Sequence, residues 1–108
     1  MKLVRDRIPD IIREDGLRPI IHAASDLEYK QALAEKLVEE AREFQKSGAL
    51  DELADLIEVV LAILHQNGQD WNKLEVIRKA KLEKRGGFTQ KIIWEKNVRR
   101  KSLKPPAC

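Results

Sequence analysis

The chain has 108 residues, of which 43% are apolar, 36% charged and 5% aromatic. That is enough apolar mass for one core and too little length for two, and it excludes wholesale disorder and disfavours sandwiches and barrels. The net charge of +3 is unevenly placed: Lys91, Lys96, Arg99, Arg100, Lys101 and Lys104 stand against Glu95 alone, so residues 89–108 carry +5 and residues 1–88 carry −2. A basic end of this kind is usually a solvated tail, and nucleic-acid binding through Arg99-Arg100-Lys101 is the weaker reading. The longest apolar run, Val59 to Leu64, is far short of a membrane span. The opening Met1-Lys2-Leu3-Val4-Arg5-Asp6 lacks the apolar stretch of a secretory leader, and the single cysteine, Cys108, can close no loop. A cytoplasmic location is expected, with no membrane partner.

In chain order, Pro9 suits the first turn of a short helix running to about Asp15 and stopped by Gly16. Arg18-Pro19-Ile20-Ile21-His22 is β-branched and extended. Ser25 and Glu28 have the spacing of a capping box and open a long helix with Leu33, Leu37, Ala41 and Phe44 on one face, ended by Ser47-Gly48. The next segment, about Ala49 to Gln66, is apolar at every position from Leu53 to Leu64 except Asp55 and Glu58, so it predicts a helix buried on nearly every side. One chain of this size has difficulty supplying that cover, and a neighbour is expected to supply it. Gly68 closes this helix, Asp70 caps a third long helix to about Arg85, and Gly86-Gly87-Phe88 breaks it. Residues 90–95 read as a short strand that can pair with Pro19 to Ala23. The expected fold is all-α: an antiparallel helical hairpin with further helices, a four-helix-bundle core completed by oligomerisation, and one short β pairing near the termini. Residues 1–96 form the domain and 97–108 the basic tail.

Acids recur on the two helices of the hairpin. Glu40 and Glu43, and Glu52 and Asp55, are i, i+3 pairs that each project two carboxylates from one face. With the turn at Ser47-Gly48, Glu43 falls level with Glu52 and Glu40 with Asp55. Four like charges beside apolar residues would take up protons or repel one another, and a hard divalent cation such as Mg²⁺ relieves this. Lys36, one turn before Glu40, and Lys81, Lys84 and Arg85 at the end of the third long helix are candidate phosphate ligands, as are Lys2 and Arg5. Acids for metal with bases for phosphate point to a phosphoanhydride substrate.

Glu40-x-x-Glu43 followed by Glu52-x-x-Asp55 on a helical hairpin resembles the all-α NTP pyrophosphohydrolase superfamily, which includes the MazG proteins and phosphoribosyl-ATP pyrophosphohydrolase. The opening Lys2-Leu3-Val4-Arg5-Asp6-Arg7-Ile8-Pro9 and the later Lys84-Arg85-Gly86-Gly87-Phe88 look like a MazG-related branch labelled phosphoribosyl-ATP pyrophosphohydrolase-like. The resemblance spans residues 2–94. It implies Mg²⁺-dependent cleavage of an NTP or dNTP to the monophosphate and pyrophosphate, with Mn²⁺ as a substitute ion. It further implies Glu40, Glu43, Glu52 and Asp55 as metal ligands, Glu39 and Glu40 in catalysis, Lys36, Lys81, Lys84 and Arg85 as triphosphate ligands, and a homodimer or homotetramer; Lys2 and Arg5 would serve the extra ribose phosphate of an adduct. A nucleotide adduct of the phosphoribosyl-ATP type is the alternative substrate, and an idle helical dimer that binds a nucleotide or partner is the alternative role. Only Phe44 to Asp51 separate the two acidic motifs, a shorter linker than is usual in MazG proteins.

Overall fold

The computed structural model, which describes residues 1–100, has four helices, two of them opened by side-chain caps. The first, α1 (Ile8–Glu14), has Pro9 in its opening turn, where the missing N–H costs no helical hydrogen bond. The second, α2 (Asp26–Ser47), is capped by Ser25, whose Oγ accepts from the Glu28 backbone N–H at 3.2 Å. Only this half of the capping box forms, because the Glu28 carboxylate pairs with His22 Nε2 at 2.8 Å instead. The helix ends at Gly48, whose φ of 64° is a left-handed conformation that a side chain would strain, and whose N–H donates to the Phe44 carbonyl.

The chain then turns directly into α3 (Leu50–Gln66), and α2 packing on α3 is the main helix–helix contact among the described residues. The fourth helix, α4 (Trp71–Arg85), is capped by Asp70, whose Oδ1 accepts from the Lys73 N–H at 2.8 Å. No residue of α4 is buried, so the cap carries an unusual share of its stability. Asp70→Ala is expected to cost about 1 kcal/mol locally and to lower the helical circular dichroism signal while leaving the hairpin folded.

The all-α expectation holds, and the hairpin lies where the periodicity placed it. The β pairing does not form: residues 18–23 and 91–98 have no regular structure, and no strand occurs among the described residues. Ile20 and Ile21 are exposed, as are Ile92 and Ile93. An isolated two-stranded ribbon that packs on nothing is marginal in water, and Pro19 removes one of its donors. Of the predicted tail, residues 97–100 are irregular and the remainder lies outside the described residues.

The core is small. Leu33 on α2 and Val59 on α3, 3% and 9% exposed, are the buried apolar residues, with Leu37, Phe44, Leu56, Val60 and Ile63 half-buried around them. Ala41 is exposed, and Glu40 takes the buried position at its level, 8% exposed. Positions 33, 37, 40 and 44 therefore form the seam of α2 at the 4-3-4 spacing of a knobs-into-holes contact, with a carboxylate in it. Nor is α3 covered all round by its own chain: Leu53, Ile57 and Leu61, at i, i+4 and i+8, remain 37–43% exposed. No helix is long and apolar enough to cross a membrane among the described residues.

Candidate metal and phosphate site

Glu40, Glu52 and Asp55 converge where α2 faces the start of α3, with one carboxylate oxygen from each lying within 4.8 Å of the others. The i, i+3 step on α3 brings Glu52 and Asp55 to one face, and the seam position of α2 brings Glu40 across to them. Glu43 is exposed and stands outside this trio. Its charge still reaches the site: Glu52 is pushed above the usual carboxylate value of 4.5 by partial burial first, then by Asp55, Glu43 and Glu40. Of the four level-matched acids, Glu40, Glu52 and Asp55 come within 4.8 Å of one another, and Glu43 stands beside them near enough to act on Glu52.

Cations from two directions meet the acids. Lys36 lies on the same α2 face, its Nζ 3.4 Å from both Glu39 and Glu40, and its side chain is only 16% exposed. The segment before α1 supplies the others: Lys2 reaches Glu39 at 3.5 Å, and Arg5 Nη2 donates to Asp55 Oδ1 at 2.7 Å. Asp55 is therefore not enclosed in apolar surroundings, as its place between leucines suggests; it is half-exposed and neutralised by Arg5. A cleft of about 390 Å³ opens beside it, between the N-terminal segment and the hairpin. Arg5, Lys36, Glu40, Asp55 and Glu58 line its charged end, and Tyr29, Leu33, Val59 and Ala62 its apolar side.

Lys81, Lys84 and Arg85 are not brought to this place. They lie on exposed turns of α4, make no ion pair among the described residues, and line no part of the cleft. The reason is the absence of any packed layer between α4 and the hairpin. Conversely, Glu58 and Tyr29, outside the expected set of site residues, both line the cleft. Glu58 was legible, since it continues the acidic i, i+3 series one turn past Asp55. Tyr29 was not, because it comes to the cleft only through the pairing of α2 with α3.

The raised Glu52 carboxyl has a consequence for stability. A carboxyl that binds its proton more tightly in the folded state stabilises the fold fully below the unfolded value, and this stabilisation is lost as pH rises through the folded one. Without divalent ions, Glu52→Gln should therefore raise the melting temperature slightly at pH 7 and change it little at pH 4. Thermal denaturation at the two pH values checks this.

No family model matches the chain, and no solved structure matches it. Over 50 residues it is 48% identical to an uncharacterised protein of Mycolicibacterium smegmatis, a stretch covering 46% of this chain and 51% of that protein. The chain thus spans about half the length of the curated relative it matches.

Proposed function

We propose that the protein is a Mg²⁺-dependent nucleoside triphosphate pyrophosphohydrolase, cleaving an NTP or dNTP between the α and β phosphates. The observation that carries this reading is the trio of Glu40, Glu52 and Asp55, set at the mouth of a nucleotide-sized cleft with Lys36 and Arg5 beside it. The donor set fits a hard divalent ion. Oxygen ligands about 2.1 Å from a six-coordinate Mg²⁺ stand at most about 4.2 Å apart, so a small side-chain closing brings all three to one ion. Glu40, Glu52 and Asp55 would hold the ion, with Glu43 as a fourth ligand, and Mn²⁺ is an acceptable substitute. Bound there, Mg²⁺ would neutralise phosphate oxygens and make a water more acidic.

The chain's own residues then have distinct tasks. Lys36 and Lys2 place positive charge where a polyphosphate would lie, and Arg5 adds a bidentate donor at the cleft. Glu39, which pairs with Lys2 and Lys36 beside the acids, would take the proton of the attacking water. Attack on one phosphorus breaks the α–β bridge and releases a monophosphate and pyrophosphate. The apolar side of the cleft would shelter the base or sugar. Lys81, Lys84 and Arg85 belong to the phosphate set by charge, although their own chain leaves them remote.

Calorimetric titration of Mg²⁺ and of an NTP tests the reading. Both should bind, each more tightly in the presence of the other, and Glu52→Gln should weaken Mg²⁺ binding at least tenfold. Mg²⁺ binding that ignores Glu52 would refute the site. Nucleotide binding without turnover would favour the idle-dimer reading, and turnover restricted to a phosphoribosyl adduct would favour the adduct reading.

A further inference from the structure

Three acids meet where α2 faces α3, and two of them have a cation of their own chain beside them. Lys36 stands 3.4 Å from Glu40 and Arg5 stands 2.7 Å from Asp55, while Glu52 has no ion-pair partner among the described residues. The two cations are held in different ways. Lys36 shares a helix with Glu39 and Glu40, pairs with both, and is largely buried. Arg5 comes from the irregular segment before α1, is more than half exposed, and reaches Asp55 through one donor, Nη2. That is the only side-chain hydrogen bond its guanidinium makes among the described residues. Leu3 and Val4, both half-buried, line the cleft together with Leu33 and Val59, so the segment has an apolar seat that does not depend on the ion pair.

We propose that Arg5 is the exchangeable counter-ion of the site: it neutralises Asp55 while the acids hold no metal, and moves to the polyphosphate once the ion is bound. This rests on the phosphate-cleaving reading above. An ion on Asp55 would stand about 5 Å from a guanidinium on the same carboxylate, and positive charges that close repel where water is partly excluded. One cation must yield, and the two differ in what they lose. Lys36 keeps Glu39, which lies outside the trio, without moving. Arg5 has no other ion-pair partner among the described residues, and its fork of N–H donors matches the oxygens of a phosphate. It already lines the cleft, so the exchange needs a side chain to re-aim on a seated segment and no part of the fold to move. Arg5 thus opposes the ion in the empty site and assists the substrate in the loaded one. A residue that only braced the fold would affect both ligands in the same sense.

Calorimetric titration of the full-length chain separates the two roles. In Arg5→Ala, Mg²⁺ alone should bind about two- to fivefold more tightly than in the wild type, the range for a half-exposed charged pair. With Mg²⁺ in excess, inorganic tripolyphosphate should bind the variant at least about tenfold more weakly. The wild type offers a second readout, the rotation of the Arg5 Nη groups measured by nitrogen NMR and assigned by their loss in the variant. Rotation should be restricted without ligand, freed by Mg²⁺, and restricted again by tripolyphosphate; restriction throughout would show that Arg5 stays on Asp55 and would overturn the proposal. If these changes appear in a chain that turns over no nucleotide, the phosphate-cleaving reading fails and the exchange stands. If the wild type cleaves nucleotides with Mg²⁺ bound through Glu52, but Arg5→Ala weakens both ligands or neither, the exchange fails and that reading stands. A wild type that binds no Mg²⁺ would overturn both.

Discussion

Replacing Glu52 by Gln is expected to lower Mg²⁺-dependent nucleotide turnover at least about 100-fold while leaving the hairpin folded. The argument is electrostatic. Glu52 faces Asp55 and Glu40 across a few ångströms and is made harder to ionise by partial burial and by those charges. In the metal-free protein this crowding is a cost, so neutralising one member does not weaken the fold. In the loaded site the same charge is a ligand, and its loss cannot be made up by an amide, which is neutral and a poorer donor to a hard ion. Steady-state rates with saturating Mg²⁺, set beside thermal melts without it, separate the two effects. A variant of near-normal activity, or one that fails to fold, would place the ion elsewhere.

Leu33→Ala is expected to produce the largest loss of stability of any single truncation in the hairpin, about 3 kcal/mol. Leu33 is the most buried side chain described and, with Val59, forms the centre of the α2–α3 contact. So small a core has little material with which to fill the resulting cavity. Leu33 also lines the cleft beside Lys36 and Glu40, so the truncation should loosen the site before it unfolds the chain. Urea titration gives the stability change, and Val38→Ala, at an exposed position on the same helix, should cost well under half as much. Equal costs would mean that the contact is not centred on Leu33.

The elements of the fold could be read in the sequence because they depend on local chemistry. Ser25 and Asp70 cap their helices, Gly48 ends α2, and the apolar spacing set the hairpin. The β pairing fails because the β-branched residues at 20–21 and 92–93 have the right local composition but nothing for a ribbon to pack against. Within the site, the acidic i, i+3 pairs were legible, and three of the four acids meet. That Glu40 would be buried and Glu43 exposed depends on which residues form the seam of α2, and Ala41 and Glu40 compete for that position one residue apart. The pairing of Arg5 with Asp55, fifty residues away, was invisible to any periodicity. It depends on how the N-terminal segment lies across the hairpin. Lys81, Lys84 and Arg85 read as phosphate ligands by charge, but they stand on α4, which forms no packed layer with the hairpin.

Product analysis tests the central claim most directly. A mixed panel of NTPs and dNTPs is incubated with the protein, with and without Mg²⁺, and the products are resolved by ion-exchange chromatography. The account predicts a nucleoside monophosphate and pyrophosphate in equal amounts, formed only with the metal, and lost in Glu52→Gln. Diphosphate and orthophosphate, or turnover indifferent to Mg²⁺ or to Glu52, would contradict it.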